Sequence, residues 1–175
     1  MSFVNENYFQ FFTAVCTDWL SLLKTDECKN VIIQALQYRV KTKQVAIAGY
    51  VIMPNHIHLI WRIAAGTERA DFQRDFLKIT AKKIIEILGQ LDPDMIKKIT
   101  LNLKDRKMQV WKRNSLSIDL FNEQYLLQKL NYIHNNPCQP KWELVTHPHD
   151  YYYSSAKFYY NREDPFQLLK HYADI

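Results

Sequence analysis

The chain has 175 residues, 47% hydrophobic and 14% aromatic, with 3 Gly and 6 Pro. That excludes a disordered or low-complexity protein and suffices for one domain with a substantial core. A formal charge of +5 favours an anionic partner such as nucleic acid, and three cysteines (Cys16, Cys28, Cys138) without CxxC spacing argue against a disulfide framework or a zinc ribbon.

"MSFVNENYFQFFTAVCTDW" carries no basic leader before its short apolar run, so no signal or membrane helix is expected and the protein is placed in the cytoplasm. Aromatic and β-branched residues predict a first strand over residues 8–16. A helix follows, capped by Thr25 or Asp26, with Val31, Ile32, Ala35, Leu36 and Val40 at helical spacing. "VAIAGYVIM" and "HIHLIWRIA" read as a hairpin turning at Pro54-Asn55. "RADFQRDFLKITAKKIIEILG" is a second helix with a Phe72, Phe76, Ile79, Ile84, Ile87, Leu88 stripe, closed by Gly89. Residues 90–107 read as an irregular insert, and "MQVWKRNSLSIDLF" as a fourth strand. "NEQYLLQKLNYIHNN" forms a helix opened by Asn122 and closed by Pro137.

The order β-α-β-β-α-β-α predicts an α+β fold, an antiparallel sheet of four to five strands with helices packed on it in the ferredoxin-like or RRM-like manner. With no linker or repeat, residues 1–175 are one domain, and 161–175 form a possible tail helix.

Chemistry concentrates in two places. In a strand, residues two apart share a face, so His56 and His58 project together while Ile57, Leu59 and Trp61 point the other way. Two neutral imidazoles so placed can grip a divalent metal, although His-x-His also fits ordinary satisfied polar residues. On the last helix Tyr125, Lys129, Tyr132 and Asn136 share a stripe beside the apolar one of Leu126, Leu130 and Ile133. A hydroxyl, an ammonium and an amide thus project from neighbouring turns.

"YVIMPNHIHLIW", followed further on by "LNYIHNNPCQPKWELVTHPHDYYYSSA", resembles the REP-associated tyrosine transposases of the HUH single-strand transposase superfamily, from the first strand to about Tyr160. The "MPNHIH" strand, the "YIHNNP" helix end and the "DYxxSS" segment occur in the family's order. The resemblance implies a metal-dependent endonuclease and strand transferase acting on single-stranded, hairpin-forming DNA, with Mg²⁺ or Mn²⁺ as cofactor and a 5′-phosphotyrosine intermediate. It implies His56, His58 and Asn136 as metal ligands and Tyr132 as nucleophile. It also implies a bacterial protein that meets the nucleoid when bound to DNA, and leaves monomer and homodimer both open. Many members of that family carry a histidine at about the place of Ile118, where this chain departs from the pattern.

DNA contacts are expected from basic residues with interleaved aromatics. Hairpin stems would lie against Arg74, Lys78 and Lys82; Lys129 would meet phosphate; Trp111, Lys112 and Arg113 form another candidate patch, as do Tyr152 and Lys157 in "YYYSSAKFYYNR". The "KDRK" cluster at 104–107 adds further charge. His134, His147 and His149 fit no metal-ligand spacing. Two rivals remain: an inert RRM-like module that binds structured single-stranded nucleic acid without cutting it, and a His-x-His nucleotide hydrolase, disfavoured because Ile60 stands where its third histidine would be.

Overall fold

The computed structural model describes residues 7–101 and 107–175. Four strands, β1 (Phe9–Val15), β2 (Val45–Ile52), β3 (His56–Ile63) and β4 (Leu116–Leu120), form one antiparallel sheet in the order β2-β3-β1-β4. This is the expected ferredoxin-like arrangement with four strands. The helices are α1 (Asp26–Lys41), α2 (Arg69–Leu91), α3 (Pro93–Ile99), α4 (Glu123–Asn135) and α5 (Ala156–Asn161). None of the described helices is long and apolar enough to cross a membrane.

Strand alternation divides the core into two layers. Phe12, Tyr50, Leu59 and Trp61 face α1 and α2, where Trp61 meets Phe72 and Phe76 edge-on at 5.4 and 5.6 Å. Phe11, Thr13, His56, His58 and Gly49 face α4. At Gly49 a Cβ would lie 2.6 Å from Leu130 Cδ1 and 3.2 Å from Ile133 Cδ1. The missing side chain lets α4 lie close on the sheet, which is the reason a strand tolerates glycine here.

Four expectations need correction. Helix α2 does not stop at Gly89 but continues to Leu91, because an exposed helical glycine costs only about 1 kcal/mol and the effective stop is Pro93, which forces Asp92 out of the α region. The supposed irregular insert contains α3, capped by the Asp92 side chain accepting from Met95 N at 3.0 Å. The fourth strand keeps only its second half: Trp111 makes a single bridge to Cys16, and Asn114 at φ 62° turns the chain before Leu116.

The tail is not a helix either. After α5 the chain turns at Asp164–Gln167 and then runs along the open edge of β2, with Leu169 bridging Ile47 and Lys170 N donating to Ile47 O at 3.0 Å, before a last short turn at Tyr172–Asp174. Residues 153–155 cover the rest of that edge through Ile52 N to Tyr153 O and Ser155 N to Tyr50 O, both 2.9 Å. Both segments satisfy backbone groups that an uncovered edge would leave open. Most of "KDRK" lies outside the described residues.

Candidate active site

The histidine pair sits where β3 leaves the Pro54-Asn55 turn. His56 and His58 are 6% and 5% exposed, with ring centroids 4.8 Å apart. Each Nδ1 is engaged by a neighbour. Asn55 Oδ1 stands 2.7 Å from His56 Nδ1, and the Asn55 amide is itself oriented by donating Nδ2–H to Trp19 O at 3.2 Å. An amide oxygen only accepts, so His56 carries its proton on Nδ1 and presents the Nε2 lone pair. Thr13, opposite His58 on β1, holds its Nδ1 at 2.7 Å through Oγ1.

That leaves His58 Nε2 buried without a hydrogen-bond partner. Asn136 Oδ1 is a second buried atom in the same condition. Each such orphan forfeits its hydration. Among the described residues Gln10, Arg39, Trp61, Trp142 and Asp164 hold one apiece as well, and His58 and Asn136 differ from these in flanking the same imidazole, His56. Asn136 keeps α conformation (φ −56°, ψ −46°) although Pro137 follows, so it stays on the line of α4, one turn beyond Tyr132. Burial holds the His56 pKa down to about 4 against the opposing pull of its Asn136 neighbour. Burial, then the charges of His56, Lys129 and Lys141, holds that of His58 down to about 3. Both imidazoles are therefore neutral near pH 7.

Tyr132 lies over this pair. Its ring is 5.4 Å from the His58 ring and 6.2 Å from Phe11, yet the residue is 48% exposed. Lys129 Nζ lies over three rings, Phe11 at 4.9 Å, Tyr125 at 5.5 Å and Tyr132 at 5.9 Å, which keeps its charge beside the tyrosine. The arrangement is a half-exposed hydroxyl next to a cation and a buried cluster of neutral nitrogen and oxygen donors. Among the described residues no group of three His, Cys, Asp or Glu is placed to hold a metal; here the third donor would be an amide.

Among solved structures the chain is similar over 99% of its length, and 94% of the other chain, to a REP-associated tyrosine transposase bound to a REP hairpin, at a TM-score of 0.62 and 18% identity. The chain has that transposase's fold. A candidate transposase from Deinococcus radiodurans R1 follows at 0.49 and 14% identity, covering 77% of this chain and 96% of that one, too slight a likeness to build on. No family model and no curated protein matches.

Of the residues singled out from the sequence, His56, His58, Tyr132, Asn136 and Lys129 come together between β3 and α4. The other basic candidates do not join them. Arg74, Lys78 and Lys82 lie on α2 in the opposite layer, exposed, and Arg74 is ion-paired with Asp71 at 2.6 Å and Asp75 at 3.4 Å. Arg74, Lys112 and Arg113 line one groove between α2 and residues 108–115. Trp111 in that segment is corrected from stacking platform to core: it is 7% exposed and its indole N–H donates to buried Thr80 Oγ1 at 3.1 Å. Tyr152 is 58% exposed and leans edge-on against Phe166, whereas Tyr151 and Tyr153 are buried; Lys157 pairs with Glu163.

Sequence reasoning missed Thr13, Asn55, Phe11 and Trp142, whose ring is 5.9 Å from His56. Asn55 was legible as the residue before the first histidine. Thr13 was not, because only strand register brings it to His58. Ile118 pairs with Phe11 on the same face of the sheet, so the departure from the family pattern falls beside the site.

Proposed function

We propose that the chain is a metal-dependent single-stranded DNA endonuclease and strand transferase acting on hairpin-forming DNA, with Tyr132 as nucleophile and His56, His58 and Asn136 as metal ligands. The observation that carries this reading is the pair of partnerless buried atoms, His58 Nε2 and Asn136 Oδ1, together with the His56 Nε2 lone pair, beneath a half-exposed tyrosine. Two imidazole nitrogens and an amide oxygen suit a first-row or Mg²⁺-type cation. A divalent ion there, Mg²⁺ or Mn²⁺, would supply Lewis-acid polarisation of a scissile phosphate.

The chain's own groups do the rest. A tyrosine hydroxyl, with an ordinary pKa of ~10, is a weak nucleophile in water. Here it stands beside the Lys129 ammonium, which favours developing negative charge on the phenol oxygen and on an approaching phosphate. Tyr132 Oη attacks phosphorus and loses its proton to solvent; the bond to the departing 3′-oxygen breaks, and that oxygen takes up a proton as a 3′-hydroxyl. The resulting 5′-phosphotyrosine retains the phosphodiester energy, so a 3′-hydroxyl of another strand can reverse the step and rejoin DNA. The packing of α4 at Gly49 fixes the distance between Tyr132 and the sheet, which is the positioning such a transfer needs.

The neighbour of the same fold is described as bound to a REP hairpin, and this supports a hairpin DNA substrate for the present chain. The competing reading, a hairpin-binding module that does not cut, draws on the apolar Ile118 beside Phe11. End-labelled hairpin pools incubated with Mn²⁺ or EDTA separate the two. Metal-dependent scission that leaves the protein on the 5′-phosphate side and a free 3′-hydroxyl on the other is expected. Binding without scission in any metal favours the module.

A further inference from the structure

Where the Asn136–Cys138 turn leaves α4, three surface rings lie in one parallel stack. His147 and His149 have centroids 5.6 Å apart and planes 7° from parallel; His149 and Tyr160 have centroids 4.0 Å apart and planes 6° from parallel. His149, in the middle, is half-buried. Tyr160 at one end is 69% exposed, and His147 at the other is also exposed. Asp150 Oδ1 stands 3.8 Å from His149 Nε2, at the ring's edge.

The stack is held by its buried neighbours. A turn at Pro148–Asp150 brings the two histidines round, with Asp150 N donating to His147 O at 3.0 Å, and the next residue, Tyr151, is buried with its hydroxyl donating to Ile52 O at 2.8 Å. On the other side Tyr159, adjacent to Tyr160, donates its hydroxyl to Ala48 O at 2.7 Å. The turn packs against the end of α4 and the Asn136–Cys138 turn, so the rings stand at the end of the helix that carries Asn136. Two imidazoles and a phenol placed in this way at the surface add little to the core, and the described residues offer no third metal donor there.

We propose that this stack is a platform for one unpaired nucleobase of the single strand flanking the reacting phosphate, which lies on the open face of Tyr160. The inference rests on the DNA substrate proposed above. Every base has a flat π face, so stacking of this kind tolerates sequence. Rings already aligned by the fold lose little freedom when a base arrives, and the net charge of +5 favours the strand's approach.

The test uses the full chain and hairpin oligonucleotides selected from a randomised pool for binding to it, made with and without a single-stranded tail. 2-Aminopurine replaces one tail base at a time. Quenching at one tail position is expected, lost in Tyr160→Ala and kept in Tyr160→Phe. Tyr160→Ala should weaken binding of the tailed hairpin on the order of tenfold and leave the blunt hairpin unchanged. Equal affinity of the wild type and Tyr160→Ala for every tailed hairpin would overturn the platform, as would an equal loss on blunt hairpins. Scission that persists alongside either result removes the platform and leaves the proposed function; absence of any DNA binding removes both.

Discussion

Asn55 and Thr13 each hold the Nδ1 of one histidine at 2.7 Å, so that the Nε2 atoms are the ones left for chemistry. Partners of this kind fix the orientation and basicity of an imidazole, and their loss typically lowers metal affinity 10- to 100-fold. Asn55→Ala should therefore weaken Mn²⁺ binding by about that factor, measured calorimetrically, whereas Asn55→Asp, which keeps an acceptor, should retain most of it. Tyr132→Phe removes only a half-exposed hydroxyl. Its unfolding midpoint should match that of the wild type to within about 0.5 kcal/mol, while strand scission disappears. At this scale the sequence was informative about donors and silent about their supports. "HIH" and "YIHNN" announce themselves through spacing within one element, but Thr13 lies on another strand, and no periodicity in β1 singles it out.

Helix α4 reaches the sheet because Gly49 leaves room for Leu130 and Ile133. Gly49→Ala places a methyl 2.6 Å from Leu130 Cδ1, and overpacking of this kind costs about 1–3 kcal/mol. Urea unfolding should show that loss, and combining the change with Leu130→Ala should cost less than the two single changes added together, because the shortened side chain relieves the clash. If Gly49→Ala leaves both stability and scission untouched, the close approach does not set the geometry of the site. Strands β1 to β3 and helices α1 and α4 were legible from period and caps. The two short helices were not: α3 depends on a capping aspartate that also ends α2, and α5 has only six residues. Trp111 misled for a similar reason. A tryptophan beside Lys112 and Arg113 looks like a stacking surface until Thr80, on a different helix, takes its N–H.

Across the described residues two buried histidines, His56 and His58, and the half-buried His134 are neutral in the folded state. Burial holds His56 and His134 to about 4 and His58 to about 3, against 6.5 for a free imidazole. Between those limits the unfolded chain binds protons that the folded chain does not. The stability they contribute is complete above about pH 6.5 and is lost as pH falls towards 4, by up to about 1.4 kcal/mol per pH unit from each. In the presence of chelator the urea midpoint should fall between pH 7 and pH 5; an unchanged midpoint would mean that the three imidazoles are hydrated. The two layers also divide the labour. The α4 side of the sheet carries the candidate site, and the groove lined by Arg74, Lys112 and Arg113 lies between α2 and residues 108–115. Lys112 joins the two regions, since its N–H donates to Val15 O and Val15 pairs with His56.

The measurement that bears most directly on this account is peptide mass spectrometry of protein recovered under denaturing conditions after incubation with hairpin DNA and Mn²⁺. The account predicts a nucleotide phosphoester on Tyr132, absent with EDTA and absent in Tyr132→Phe. A modified tyrosine elsewhere, or scission with no covalent protein–DNA species, would contradict it.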